Sequence, residues 1–203
     1  MISNISKTLN ETAFKDDVFL SLVQIDLDGD MLKLFFDVTY EEDTEVLQKW
    51  EVQCVDYREH KLELYYFDNF ESYDEHPRLW KYNYNRNELF FKGKPNSINE
   101  LIGDLYLTHF QFTKGGLPLE YFLNINKNGC GDLEWLLNCE EGLFSIAPDH
   151  LNQTYKEILN KYGIRTSIIP AGNQNIKNRE NYKIIVFGDS YVIAKEYEAI
   201  RII

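Results

Sequence analysis

The chain reads as an α+β protein in which an antiparallel sheet is covered by a helix and followed by a smaller β-α-β-β-β unit. Three observations predict this. Apolar and polar residues alternate over residues 23–27, 32–38, 50–54 and 62–66, which is the two-residue period of half-buried strands. Leu101, Ile102, Leu105, His109 and Phe112 recur at three- and four-residue intervals, a helix stripe able to lie across such a sheet. Leu151, Tyr155, Ile158, Leu159 and Tyr162 repeat the helical spacing between short apolar runs, which gives the second unit its helix.

Residues 1–16 form a polar lead-in with little to pack. Val23, Ile25 and Leu27, then Leu32, Leu34, Phe36 and Val38, supply two apolar strand faces, and Asp28-Gly29 between them tolerates the positive φ of a hairpin turn. Tyr40-Glu41-Glu42-Asp43-Thr44-Glu45 is too charged to be buried and faces solvent. Trp50, Val52 and Cys54 then pair, through the loop 56–60, with Leu62, Leu64 and Tyr66, extending an antiparallel meander. The aromatic run 79–91 adds one or two further strands.

Ser97-x-x-Glu100 spells a capping box for the helix that follows, the Ser97 hydroxyl accepting from the Glu100 N–H and Glu100 reaching back. Gly103 in the helix interior costs about 1 kcal/mol relative to alanine, so close packing against a neighbour is expected there. Residues 124–132, rich in Asn and Gly, mark the internal boundary, dividing the chain into 1–128 and 129–203, two closely packed parts. Beyond it come a short helix at 133–139, a strand at 143–147, a helix from after Pro148 to Gly163, a strand at 164–169 and a hairpin of 182–187 with 191–202.

The 203 residues include 14 Tyr and 13 Phe, too many rings for a disordered chain. The net charge is −12, and residues 1–149 carry 13 Lys and Arg against 28 Asp and Glu, whereas residues 150–203 carry 8 against 5. Such a field repels phosphate backbones and anionic membranes, which excludes nucleic acid and membrane as direct partners and admits a basic protein. Cys54, Cys130 and Cys139 share no ligand spacing, so neither a disulfide framework nor a zinc site is expected. With no apolar run near the roughly 20 residues of a bilayer span, the expected location is cytoplasmic.

Ile184-Ile185-Val186-Phe187-Gly188-Asp189-Ser190 looks like the first block of the GDSL esterases, which would make Ser190 a nucleophile. Such a serine needs a base and oxyanion donors from later segments. The residues after Ser190 contain no histidine, so a turn between strands is the preferred reading and the esterase the alternative. Two Asx-rich turns resemble calcium loops. Residues 26–30 place Gly29 at the wrong position, and residues 124–135 end in Trp135 where a bidentate carboxylate belongs. His109 on the apolar stripe is expected to be a hydrogen-bonded residue at the core edge. No cofactor or metal is expected.

His76-Pro77-x-Leu79-Trp80, Leu89-Phe90-Phe91-x-Gly93, the helix bearing Leu101, Leu105 and His109, and the closing Ser190-Tyr191-Val192-Ile193-Ala194 together resemble a group of uncharacterised bacterial proteins, some encoded beside polymorphic-toxin genes. The resemblance implies an immunity-type role, in which an acidic protein masks a partner. The expectation is therefore a non-enzymatic interaction protein whose contact residues are Glu41, Glu42, Asp43 and Glu45. A structural subunit of a larger assembly is the remaining alternative.

Overall fold

Gly29 takes φ 61° in a two-residue turn, a backbone open to glycine without the Cβ penalty, and this turn joins β1 (Val18–Asp28) to β2 (Met31–Tyr40). The computed structural model describes residues 18–40, 46–63, 66–67, 69–125, 131–171 and 181–202. β3 (Val46–Val55) pairs antiparallel with β2, and the alternation buries Leu32, Leu34, Phe36, Val38, Trp50, Val52 and Cys54 on one face. β1 departs from the expected pattern. Leu22 faces Phe36 while Gln24 faces Phe35, so a bulge at Val23 interrupts the alternation. Among the described side chains of this strand Leu20 and Leu22 reach the core, and Val23, Ile25 and Leu27 are exposed.

The expected pairing of residues 50–54 with 62–66 does not form. Asp56, at φ 52°, turns the chain out of the sheet, and β4 (Glu59–Lys61) pairs elsewhere. The free side of β3 is taken by β12 (Glu196–Arg201), which completes a five-stranded sheet of order β12-β3-β2-β1-β5, with β5 at Tyr66–Phe67. β6 (Glu71–Tyr73), β10 (Lys183–Phe187) and β11 (Ser190–Ala194) join β4 in a second sheet of order β4-β11-β10-β6. The two antiparallel sheets enclose one core. Leu20, Leu34, Phe36, Val52 and Cys54 from the first meet Ile185, Phe187, Val192 and Ala194 from the second.

The strand expected over 191–202 is thus two strands in two layers, and Tyr197 holds the bend between them. Its hydroxyl accepts from the Ala194 N–H at 2.9 Å and lies 2.7 Å from the Val192 carbonyl and 3.0 Å from that of Lys183. These pairings also correct the expected division at 128/129. The chain separates into Met1–Leu79 with Glu180–Ile203, and Trp80–Arg179, because the C-terminal strands complete sheets begun by the N-terminal ones.

Within Trp80–Arg179, the run 79–91 yields a helical turn, α1 (Trp80–Asn83), and one strand, β7 (Arg86–Lys92). β7 is the middle of a three-stranded antiparallel sheet of order β8-β7-β9, with β8 at Glu141–Pro148 and β9 at Arg165–Pro170. α2 (Ile98–Thr113), α3 (Leu133–Asn138) and α4 (Asp149–Lys161) share its core. The helix expected to cover the N-terminal sheet is α2. Its buried Leu101 and Leu105 lie instead among Leu89, Phe91, Phe144, Leu151 and Leu159, since the sheet that receives its stripe is built from the strands around it in sequence.

Ser97 is extended at the start of α2 but its side chain makes no cap bond, so the capping box does not form. The entry is held by the backbone, Leu101 N–H donating to Ser97 O at 3.1 Å and Asn96 N–H to Tyr162 O at 3.1 Å. Gly103 has open space where a Cβ would stand, which overturns the expected close packing.

Two glycines should therefore respond oppositely to alanine. Gly103→Ala should stabilise by about 0.5–1 kcal/mol through helix propensity alone. Gly188→Ala should destabilise, because Gly188 sits at φ 53° and a Cβ would meet Phe67 Cδ1 at 2.6 Å. Denaturant midpoints of the two variants check both signs.

Candidate functional site

The register of the five-stranded sheet places carboxylates from four strands on its outer face. One row across the sheet runs Asp26, Lys33, Gln53, Glu198. The next runs Gln24, Phe35, Glu51, Ile200, and a third runs Asp28, Met31, Val55, Glu196. Asp37 opposite Lys49 continues the face on β2 and β3. Six carboxylates thus stand beside two ammonium groups. Gln24 Nε2 donates to Asp26 at 3.0 Å and Gln53 Nε2 to Glu51 at 2.8 Å, while Lys33 lies 3.9 Å from Asp28. Within these rows, half-buried Phe35 and exposed Val55 and Ile200 give the face apolar anchors.

The charge follows the same division. The unit made of residues 1–79 and 180–203 carries 10 Lys and Arg against 23 Asp and Glu, and residues 80–179 carry 11 against 10. The expected contact residues Glu41, Glu42, Asp43 and Glu45 lie outside the described residues, between the end of β2 at Tyr40 and the start of β3 at Val46. Sequence reading passed over Asp26, Glu51, Glu196 and Glu198. Each is a polar position of a strand alternation, which was the available signal, but their convergence depends on β12 pairing with β3.

Ser190 is the first residue of β11, directly after the turn at Gly188-Asp189, so its triplet is a bend between two strands. The side chain is fully buried and its Oγ accepts from the Glu63 N–H at 2.9 Å. Among the described residues none of the four histidines hydrogen-bonds to it. Of the two Asx-rich turns, residues 26–30 form the β1–β2 hairpin, and residues 126–130 of the other lie outside the described residues. Asp132 of that second turn caps α3, accepting from the Trp135 N–H at 2.7 Å. Among the described residues no group of three or more His, Cys, Asp or Glu is placed to hold a metal, and no helix is long and apolar enough to cross a membrane.

In the second unit, His109 is 2% exposed. Its Nε2 stands 3.0 Å from the Leu117 carbonyl, which can only accept, so Nε2 carries the proton and Nδ1 accepts from the Tyr155 hydroxyl at 2.7 Å. The sequence placed this residue correctly, as a hydrogen-bonded histidine of the helix stripe. A groove of about 690 Å³ opens beside Phe90, Lys92, Glu141, Arg165 and Ser167. Its charges largely pair off, Lys92 with Glu141, and Glu140 of the adjoining hollow is paired by Lys94, each at 2.7 Å.

Comparison with protein-family models, curated proteins and solved structures finds no match to this chain. The site is therefore argued from its own chemistry.

Burial pushes the His109 imidazole below its ordinary range, partly offset by the hydrogen bond to Leu117 and the field of Glu120. Burial likewise lowers His76 and His150. An unfolded histidine takes up its proton at about pH 6.5, which the folded imidazole resists, so unfolding binds protons below that value. Stability should be full above about pH 6.5 and drain as pH falls from there toward the folded pKa values. Denaturant unfolding across that range should show the slope, and His109→Leu should flatten it while lowering stability at neutral pH.

Proposed function

We propose that this protein is a non-enzymatic interaction protein that masks a basic protein partner, in the immunity-type manner its sequence resemblance implies. The observation that carries the reading is the outer face of the five-stranded sheet, where Asp26, Asp28, Asp37, Glu51, Glu196 and Glu198 are interspersed with Phe35, Val55 and Ile200. Such a face divides the labour as protein interfaces commonly do: rings and aliphatic chains buried on contact supply much of the affinity, and the charges orient and speed the encounter.

Glu41, Glu42, Asp43 and Glu45, which lie between β2 and β3 in sequence, are retained as proposed contacts on the ground of their charge alone. Ser190 supports no second reading, since a hydroxyl closed off from solvent and engaged by a backbone N–H offers a substrate no approach.

The reading is tested by immobilising the full chain and identifying what it retains from cells of its source. The retained protein should be basic, and retention should weaken as salt rises. Replacing Glu51, Glu196 and Glu198 by Gln should slow association about tenfold or more without lowering the unfolding midpoint. An acidic retained protein, or a rate indifferent to both salt and these substitutions, would remove the proposal.

A further inference from the structure

β1 is an edge strand along part of its length. β5 pairs with it at Leu20 and Ser21, and among the described residues no strand pairs with the same edge from Gln24 to Asp28. This stretch is also where apolar side chains lie in solvent: Val23 is 53%, Ile25 38% and Leu27 62% exposed. Ile25 and Leu27 sit on the core-side face, opposite the fully buried Leu34 and Leu32 of β2. They extend the apolar face past the point where the second sheet covers it.

The backbone at these two residues is open as well. In a two-residue hairpin the flanking pair, here Asp28 and Met31, exchanges hydrogen bonds, and ladder bonds then recur at alternate pairs. Asp28, Asp26 and Gln24 therefore direct their amides to β2, and Leu27 and Ile25 direct theirs outward. Natural edges are usually blunted against such pairing. Here an apolar ledge coincides with two outward backbone amides that no strand among the described residues engages.

The charges select the occupant. A second copy added antiparallel about Asp26 would set Asp26 against Asp26, and one added about Leu27 would set Asp26 against Asp28, like-charge contacts that disfavour self-pairing in those registers. A strand alternating apolar with basic residues meets the opposite situation. Its apolar positions would lie beside Ile25 and Leu27, and its basic positions beside Gln24, Asp26 and Asp28.

We propose that the β1 edge from Gln24 to Asp28 receives an extended segment of the partner as an added strand, one that alternates apolar with basic residues. The added strand would continue the line of β5 along the same edge, widening the five-stranded sheet. This rests on the reading of the protein as a binder of a basic partner and specifies how one segment of that partner is held.

The test uses the full chain and a capped peptide alternating lysine with valine. The peptide should slow hydrogen exchange of the Ile25 and Leu27 amides by about tenfold or more. The same peptide N-methylated on every second amide, on the edge that faces β1, should give no such protection, and neither should a peptide of equal composition with its lysines and valines in separate blocks. Asp26→Lys combined with Asp28→Lys, surface changes that leave the core untouched, should transfer the protection to an alternating glutamate and valine peptide. Binding without protection of these two amides, or protection that survives N-methylation, would overturn the added strand. The Gln variants at Glu51, Glu196 and Glu198 separate the two readings. Edge protection that persists when those variants no longer affect partner association removes the outer face alone. Partner association that still depends on them while the edge stays unprotected removes the strand alone.

Discussion

Phe187 is the contact on which the first unit depends. Its ring packs edge-on against Phe36 at 5.3 Å and Phe67 at 5.0 Å, and stacks on Phe70 at 5.7 Å. One side chain near the C-terminus thereby closes a core begun by the N-terminal hairpin. Aromatic pairs in these geometries contribute about 0.5–1.5 kcal/mol each beyond the area they bury, so this cluster ranks among the larger single stabilising contributions of the layer. It also constrains the backbone beside it. With Phe67 drawn onto Phe187, the chain at Gly188 has no space for a Cβ, and the turn must be made by glycine. The Gly-Asp-Ser triplet that resembles an esterase block is thus explained by packing: glycine for the turn, then a buried serine whose hydroxyl satisfies the Glu63 N–H.

Where sequence reading succeeded, the cause was local. The β1–β2 hairpin, β3, α4, β9 and the β10–β11 turn follow from side-chain period and turn chemistry, which act over a few residues. Where it failed, the deciding contact was distant. Residues 50–54 and 62–66 carry the alternation of a hairpin, yet β3 pairs with β12, well over a hundred residues away in sequence. Nothing in either segment states that choice. The bulge at Val23 is similarly silent, and so is the exposure of Ile25 and Leu27, which alternate as well as any core strand and lie opposite buried Leu34 and Leu32 yet stand in solvent. The division at 128/129 was misplaced for the same reason: turn-rich composition marks loops, and a loop is not a boundary when the chain returns to an earlier layer.

The second unit is held differently, through polar groups satisfied inside an apolar core. Asn152 on α4 donates to the Asn87 carbonyl at 2.7 Å and the Ala147 carbonyl at 3.2 Å, and accepts from Ser145 Oγ at 2.6 Å. It ties the helix to both β7 and β8. His109 and Tyr155 do the same between α2 and α4. Such groups add little net stability when satisfied and cost about 1–3 kcal/mol when stranded, so they select one arrangement of helix on sheet over slipped alternatives. The His109 stripe was legible from spacing, but its partners were not, because a Tyr on another helix is indistinguishable from any other apolar position until the helices are packed.

The acidity of the first unit bears on how its surface is used. A sheet face with six carboxylates and two ammonium groups repels itself, and that repulsion opposes folding of the layer. Part of it is relieved locally, where Gln24 and Gln53 donate to Asp26 and Glu51. The rest persists while the face is in water and is relieved when positive charge arrives. A basic partner bound there would therefore stabilise the folded layer by mass action as well as by contact, and the stabilisation would be largest at low salt, where the unrelieved repulsion is greatest. The same logic applies to the β1 edge. In the added strand proposed there, Asp26 and Asp28 would disfavour an identical edge in the registers that oppose them and favour a chain of opposite charge, so the same pair of side chains would act on both.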